Sequence, residues 1–287
     1  MNTKEGLIYL GKELIYGGHW LSLGGVSIAW VAALFLGIKT SPGFFLIVYL
    51  GLQAIYLFNR YRELPGDFLT NPDRSRHLQT IYRRIPWLVF LWLFIFFAVL
   101  ISFQKTSAFL FGLVTIPLGL LYSVFFKKFS GRIPGMKGLF VAACWSTVVV
   151  FLVLYYDRPL SEAVILLVLF VFLRWLVNTT VFDVKDIKDD SRKKIATWPV
   201  LIGPGRLIFW LKLITLASVI PILIGVYYEV LPPPAIWLIG TVPYTFYYLD
   251  RIGQKKNESF TYNVIIDGEF VLWAVFANVG YYFYGNT

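Results

Sequence analysis

Residues 182–203 read FDVKDIKDDSRKKIATWPVLIG and contain four aspartates, in a chain that is otherwise very apolar. They directly follow a long hydrophobic run, so the aspartates lie where a membrane helix would meet water. Asp183, Asp186 and Asp190 are spaced i, i+3, i+7, which places their carboxylates on one face of a continuing helix. Like charges on one face repel, and carboxylate oxygens are ligands that Mg²⁺ takes. The spacing therefore predicts a divalent cation at this helix end.

The composition indicates a polytopic membrane protein. Of its 287 residues, 58% are hydrophobic and only 15% are charged, and its mean hydropathy is +0.68. Soluble domains of this size are not so apolar. The net charge of +10 is attributed to membrane topology, and nucleic acid is not an expected partner. One cysteine, Cys144, and two histidines exclude a disulfide framework, a cysteine-based metal site and a histidine-rich site.

Nine apolar runs predict nine transmembrane helices in one all-α domain that covers residues 1–287. The runs are 20–38, 43–58, 86–103, 107–126, 138–156, 161–182, 207–229, 235–249 and 266–284. Residues 1–18 alternate apolar residues with charged residues and glycine, which predicts an amphipathic helix in the membrane interface. This segment does not have the pattern of a cleavable signal peptide.

Lysines and arginines gather in the N-terminal segment and in the long connections after the second, fourth, sixth and eighth runs. The positive-inside rule places these segments in the cytoplasm and the C-terminus outside. An odd number of spans agrees with termini on opposite sides. The composition indicates the inner (cytoplasmic) membrane, with the chemically active loops on the cytoplasmic side, and the alternative is an organellar inner membrane.

A second oxygen-rich cluster follows the run at 43–58, on the same side of the membrane. Asn59, Glu63 and Asp67 are spaced i, i+4, i+8, but Pro65 predicts that the helix ends near Glu63 and that Asp67 reaches the site from a turn. Two facing clusters would hold one or two Mg²⁺ ions, which usually bridge carboxylates to substrate phosphates. The clusters therefore predict a phosphorylated ligand. The alternative is that both are helix-end charges solvated at the interface.

The 183–190 cluster resembles a motif of the UbiA superfamily of intramembrane prenyltransferases. In that family the segment between the sixth and seventh helices commonly reads N-D-x-x-D-x-x-G-D, then a basic stretch, then T-L-P-V and a glycine. Asp183, Asp186 and Asp190 fall in this register, with Asp189 in place of the motif's glycine and TWPVLIG at 197–203. The resemblance implies a bundle of membrane helices around a central cavity.

The 59–67 cluster is similar to the family's first motif, N-D-x-x-D-x-x-x-D followed by N-x-P-x-R, with two departures. Asn59 and Asp67 fit its first and last positions, and NPDR at 71–74 fits the trailing segment. Glu63 replaces an aspartate but keeps a carboxylate, whereas Arg60 reverses a charge. Arg60 would point away, pair with Glu63, or contact a diphosphate directly.

Basic residues near the clusters are candidates for binding a diphosphate, which needs cations beyond the metal. The family has a tyrosine with a basic residue four positions on. Here Tyr122 is followed by Lys127 and Lys128, one or two positions out of register. The full set of diphosphate-binding candidates is Arg60, Arg74, Lys127, Lys128 and Lys137. The alternative is that these charges only set the membrane topology.

Arg174 and Asn178 lie within the run at 161–182, where an arginine faces the bundle interior or snorkels. Together with Tyr122 they are candidates for the prenyl or acceptor pocket. The alternative for Arg174 and Asn178 is a structural hydrogen-bonded pair. Further aromatic candidates for stacking on an isoprenoid chain or a cation are Tyr82, Trp145, Trp175 and Trp198.

The resemblance implies Mg²⁺-dependent transfer of an isoprenyl group from a prenyl diphosphate to an acceptor, such as an aromatic ring in quinone or other lipid biosynthesis. Diphosphate would be released inside the membrane. The implied catalytic residues are Asp183, Asp186, Asp190 and Lys128, and the implied metal ligands are Asn59, Glu63, Asp67, Asp183, Asp186 and Asp190.

The expected partners are an isoprenyl diphosphate, a hydrophobic or aromatic acceptor and the lipid bilayer. Two alternatives stay open at this point. One is a membrane transporter or lipid-binding protein, since buried ionisable groups also mark transport pathways. The other is a UbiA-like protein whose altered metal site performs different chemistry.

Overall fold

The computed structural model describes residues 3–68, 71–122, 133–192, 195–252 and 260–285. Over these residues the chain is helical and contains no strand, so the all-α prediction is confirmed. The helices are α1 (Thr3–Tyr16), α2 (His19–Phe35), α3 (Pro42–Asp67), α4 (Pro72–Ile81), α5 (Ile85–Ser102), α6 (Thr106–Leu121), α7 (Met136–Tyr155), α8 (Glu162–Arg192), α9 (Trp198–Ile202), α10 (Pro204–Ala217), α11 (Val219–Tyr227), α12 (Thr241–Arg251) and α13 (Asp267–Gly285). Short 3₁₀ segments, Tyr82–Arg84 and Pro233–Gly240, precede α5 and α12, and a π-helical turn, Thr261–Ile266, precedes α13.

Six helical segments of the described chain are long and apolar enough to cross a membrane, and a seventh forms if one bent pair is a single span. The six are Pro42–Leu64, Pro72–Ser102, Met136–Tyr155, Glu162–Ile187, Pro204–Tyr227 and Thr261–Tyr284. The bent pair joins Glu5–Tyr16 to His19–Phe35 at 57°. Each predicted run contains helical backbone, but the count of nine crossings is not confirmed, because α6 and α12 have only 16 and 11 residues.

The bend between α1 and α2 depends on Gly18. Its φ of 86° lies in the left-handed region, and a Cβ there would lie 2.1 Å from the ring of Tyr56. Only glycine meets both conditions, so this residue allows the bend to pack closely against Tyr56 of α3. The helix predicted for residues 1–18 is observed as α1, and its place in the membrane interface stays a prediction.

Helix α3, which carries the 59–67 cluster, is longer than predicted. The prediction that it ends near Glu63 is wrong, since the helix continues to Asp67. Pro65 falls in the last turn, where a proline removes a single backbone hydrogen bond and its fixed φ is still compatible with a helix. The side chain of Asp67 lies outside the described residues.

Helix α8, which carries the 183–190 cluster, is continuous from Glu162 to Arg192, as the spacing predicted. Its 31 residues span about 46 Å, more than the ~30 Å hydrocarbon core of a bilayer. The helix is therefore long enough to cross this core and to extend beyond it. Trp175 of α8 stacks between Trp145 of α7, at 3.9 Å, and Phe270 of α13, at 4.2 Å. These three rings fix α7 and α13 against α8.

The outer face of α5 is apolar. Trp87, Phe90 and Phe94 are 75%, 64% and 61% exposed. Large exposed hydrophobic patches are unfavourable in water, but they are the normal surface of a helix that faces lipid. With the apolar spans above, this surface identifies a multi-pass membrane protein.

Candidate active site

A cavity of about 500 Å³ lies between α3, α5, α6, α7, α8 and the start of α13. One end is lined by polar and charged side chains: Asn59, Arg60, Glu63, Asn71, Arg74, Lys137, Lys185, Asp186 and Asp267. Towards the opposite end the lining becomes apolar and includes Val48, Phe96, Phe111 and Phe151. Residues from both acidic clusters therefore line a single cavity, whose interior is apolar.

The 183–190 cluster contacts a lysine from α7. Asp183 is only 3% exposed, and Nζ of Lys137 donates a hydrogen bond to its Oδ1 at 2.8 Å. Asp186 follows one turn later and lines the cavity. Burial, followed by the charge of Asp183, raises the pKa of Asp190. Carboxylates that disfavour each other's ionisation in this way are stabilised by an added cation.

Side chains in the 59–67 cluster form hydrogen bonds and an ion pair within α3 and with α6. Nδ2 of Asn59 donates to the carbonyl of Gly119 at 3.2 Å, and its Oδ1 is buried without a hydrogen-bond partner among the described residues. Arg60 pairs with Glu63 at 3.2 Å and lies over the ring of Tyr56 at 4.8 Å. Of the three alternatives for the Arg60 side chain, the structure therefore shows the ion pair with Glu63.

A hydrogen bond joins the helix that carries the 183–190 cluster to the segment that follows the 59–67 cluster. Nζ of Lys185, which lies between two aspartates of α8, donates to Oδ1 of Asn71, the residue before α4. Lys185 also lies over the ring of Tyr262 at 5.5 Å. Arg74, in the first turns of α4, is 6% exposed and lines the same end. The sequence predicted Arg74 as a diphosphate-binding residue but not Lys185. The position of Lys185 between Asp183 and Asp186 could have indicated it.

Tyr122 lies at the polar end of α6, as a pocket residue should. It is 8% exposed, lines the cavity and stacks on Phe140 at 5.3 Å. Its hydroxyl is buried and makes no hydrogen bond within the described part of the chain. Lys127 and Lys128 lie outside the described residues, so their predicted roles stay predictions.

Arg174 does not lie where the pocket hypothesis placed it, since it is absent from the described residues that line the cavity. Its side chain is 1% exposed, and its Nε donates to Oε1 of Glu269 on α13 at 2.8 Å. Tyr248 of α12 donates to Oε2 of the same carboxylate at 2.7 Å. A guanidinium buried in a membrane helix needs a carboxylate partner, and Glu269, not Asn178, supplies it.

Asn178 lines the cavity, as predicted, and it lies beside Asp267, a lining carboxylate that the sequence did not indicate. Asn178 donates to the carbonyl of Ile266 at 3.4 Å and is hydrogen-bonded to the side chain of Asp267. Asp267 is the first residue of α13 and lines the polar end. No motif marks it, because a single acid at the start of an apolar run is common at helix ends. Asp267 reaches the cavity only because α13 packs beside α8.

The aromatic candidates divide into two groups. Trp145 and Trp175 line the cavity, whereas Tyr82 and Trp198 are absent from its described lining. Tyr82 instead stacks on Tyr61 at 4.5 Å.

With this geometry established, the chain can be compared with known proteins. A model of the UbiA prenyltransferase family matches residues 18–275. The chain belongs to the UbiA prenyltransferase family. No curated protein matches it.

Solved structures of UbiA homologues share the fold. The apo structure of a UbiA homologue from Aeropyrum pernix K1 has a TM-score of 0.71 and 17% identity, covering 90% of this chain and 96% of that one. A UbiA homologue from Archaeoglobus fulgidus bound to DMAPP and Mg²⁺ has a TM-score of 0.66 and 16% identity, covering 95% and 97%. A structure of digeranylgeranylglyceryl phosphate synthase has a TM-score of 0.59 and 14% identity, covering 94% and 98%.

The family raises the question of whether this chain's side chains fit a metal. Among the described residues, no three histidines, cysteines or acids come together in a way that could hold one. The donors nevertheless fit a cation that a ligand's oxygens complete, because the buried Oδ1 of Asn59 has no hydrogen-bond partner and Asp186 lines the same cavity. Mg²⁺ in proteins commonly binds in this way, through a few protein oxygens and substrate phosphates.

Proposed function

We propose that this chain is an intramembrane enzyme that transfers an isoprenyl group from a prenyl diphosphate to a hydrophobic acceptor and releases diphosphate. The observation that carries the proposal is the cavity itself, which joins a polar end built from both family motifs to an apolar interior. A prenyl diphosphate is divided in the same way, into a highly charged diphosphate head and an apolar isoprenoid tail. Family membership supports the reaction class, and the acceptor belongs to the proposal.

The polar end would bind the diphosphate. Arg74, Lys137 and Lys185 bring positive charge to it from α4, α7 and α8, and each is a donor suited to phosphate oxygens. Mg²⁺ would be held by oxygens from Asn59, Glu63, Asp67, Asp183, Asp186 and Asp190, with diphosphate completing its coordination. When bound, this ion neutralises charge that develops on the departing diphosphate.

The reaction then proceeds by departure of diphosphate from the allylic carbon. The C–O bond breaks, its electron pair stays on the diphosphate, and an allylic cation is left in the cavity. Trp145 and Tyr122 line the cavity, and their rings would stabilise this cation, while the apolar wall would exclude water. A nucleophilic atom of the acceptor forms the new bond to that carbon and afterwards loses a proton. The polar end is proposed to face the cytoplasm, as the distribution of basic residues predicts.

Diphosphate release by the purified protein tests the proposal. Dimethylallyl, geranyl, farnesyl and geranylgeranyl diphosphates are each supplied with Mg²⁺ and a mixture of aromatic and lipid acceptors. Asp186→Asn should lower the release rate by about 100-fold, because it removes a carboxylate proposed to hold the Mg²⁺ that neutralises the departing diphosphate. Asp250→Asn, at a carboxylate whose side chain is 63% exposed and paired with Lys212, should leave the rate unchanged.

Failure would be equally clear. If the wild type releases no diphosphate from any of the four substrates, or if Asp186→Asn matches the Asp250→Asn control, the catalytic proposal is wrong. Where the wild type does release diphosphate, mass spectrometry of lipids and quinones from cells that lack the protein would identify its acceptor or product.

A further inference from the structure

The apolar end of the cavity has a definite depth. Along α3, the lining runs from Asn59 at the polar end to Val48, eleven residues away, which corresponds to about 16 Å at 1.5 Å per residue. Along α7 it runs from Lys137 to Phe151, a rise of about 21 Å. A tail that extends from the polar end into this space meets its end wall after a limited number of isoprene units.

Phe96 of α5 belongs to that end wall. It lines the cavity but is only 3% exposed, and its ring stacks on that of Phe151 at 5.8 Å. One turn beyond Val48, Phe44 is fully buried and stacks on the other side of the wall, 6.1 Å from Phe151. Phe44 therefore supports the wall on the side away from the cavity, and the wall can move only if these side chains are changed.

Two glycines determine where the Phe96 ring lies. A Cβ added at Gly51 of α3 would lie 3.1 Å from Cε2 of Phe96, and one added at Gly112 of α6 would lie 3.1 Å from Cε1. The ring is thus seated in a notch between two helix backbones that have no side chains at these points. A methyl group at either glycine would require the ring to shift by a few tenths of an ångström.

We propose that Phe96, seated in the notch between Gly51 and Gly112, limits the length of the prenyl chain that the cavity accepts. This inference rests on the proposed function, because it concerns the tail of the same diphosphate substrate. Removing the ring deepens the cavity and admits a longer tail. Filling the notch from Gly112 pushes the ring into the cavity and shortens it. Since Gly112 is not among the described lining residues, alanine there acts on the cavity through Phe96.

The test compares chain-length profiles of opposing variants. For each protein, kcat/KM is measured for the four prenyl diphosphates in direct competition. Phe96→Ala should raise the preference for the next longer substrate by about tenfold or more, and Gly112→Ala should shift it towards the next shorter one, because small steric differences in an apolar pocket discriminate on this scale. Phe96→Leu provides a smaller truncation if the alanine variant does not fold.

Matched controls exist on the same or similar helices. Phe90→Ala removes the same ring from the lipid-facing side of α5, where Phe90 is 64% exposed. Gly205→Ala adds a methyl group to α10, where nothing lies within 4 Å of the new Cβ. Both should keep the wild-type profile.

A binding readout separates this inference from the reaction. Cys144 is the chain's only cysteine and lines the cavity, so a bound tail should shield it from N-ethylmaleimide. The concentration of each prenyl diphosphate that halves the labelling rate should follow the same chain-length shifts, and Cys144→Ser should abolish the label.

The outcomes are distinct. Turnover with a chain-length profile that neither Phe96→Ala nor Gly112→Ala alters beyond twofold overturns the role of Phe96 and leaves the proposed function intact. No turnover, with cysteine protection that still shifts in opposite directions in the two variants, overturns the proposed function and supports the role of Phe96. No turnover and no protection by any chain length overturns both.

Discussion

At the scale of single residues, the unusual feature is the ion pair inside the first motif. Arg60 and Glu63 lie at 3.2 Å, with side chains 24% and 18% exposed. In the family's motif the position of Arg60 is an aspartate. The arginine therefore engages a carboxylate that is a proposed metal ligand, and it also brings a positive charge to the polar end of the cavity.

Arg60→Asp should strengthen Mg²⁺ binding and weaken diphosphate binding. It removes a positive charge, removes this partner from Glu63 and adds a carboxylate, which together should lower the Kd for Mg²⁺ by about tenfold, or about 1.4 kcal/mol. The loss of a guanidinium should raise KM for the prenyl diphosphate. Mg²⁺ titration of the diphosphate-release rate measures both effects.

Arg62→Asp is the matched control, since it makes the same charge change two residues away at an exposed position outside the described cavity lining. If the two variants behave alike, Arg60 acts only through overall charge, and its assignment to the site is wrong.

At the scale of elements, α8 connects the site to the rest of the bundle. Its last turns carry the aspartates, Asn178 lines the cavity one turn above Arg174, and Arg174 binds Glu269 of α13. Both members of this pair are almost fully buried, at 1% and 0% side-chain exposure. The pair therefore holds α13, and with it Asp267, against the cavity.

Glu269→Leu should destabilise the protein by about 3–5 kcal/mol, because it leaves the Arg174 guanidinium buried without its carboxylate. The double variant Arg174→Met with Glu269→Leu should cost less than the sum of the two single variants, since it leaves no unpaired charge. Unfolding in detergent, followed by thermal or denaturant titration, measures these differences.

The exposed pair of Lys212 and Asp250, at 2.6 Å, provides the comparison. Lys212→Met should change the free energy of unfolding by less than about 1 kcal/mol. If Glu269→Leu costs no more than Lys212→Met, the buried pair does not organise the bundle.

Local sequence patterns predicted what depends on spacing within one helix. The register of Asp183, Asp186 and Asp190 predicted a continuous α8, and the apolar runs predicted helical backbone in nine places. The 59–67 motif likewise led to Asn59 at the cavity. The predicted end of α3 was wrong by about one turn, because a proline is tolerated at a helix terminus.

The missed contacts all join residues far apart in the chain. Lys185 meets Asn71 across 114 positions, and Arg174 meets Glu269 across 95. Asp267 reaches the cavity only because α13 returns beside α8. Nothing in the local pattern around these residues specifies a partner, since that depends on how the helices pack.

At the scale of the whole molecule, the fold brings two distant polar segments to one end of a cavity and closes the other end with aromatic rings. The two polar segments form the last turns of α3 and of α8, while Phe96 of α5 lies in the wall opposite. The lipid-facing surface around this cavity is apolar. The central claim is that the two ends serve one amphiphilic substrate at the same time.

The most direct test is a structure of the protein with Mg²⁺ and a non-hydrolysable geranyl thiodiphosphate. We expect the diphosphate analogue within hydrogen-bonding distance of Lys185 or Arg74 and near Asp186, with the tail directed along α7 towards Phe96. A head group bound outside this polar end, or a tail directed away from Phe96 into the lipid, would contradict it.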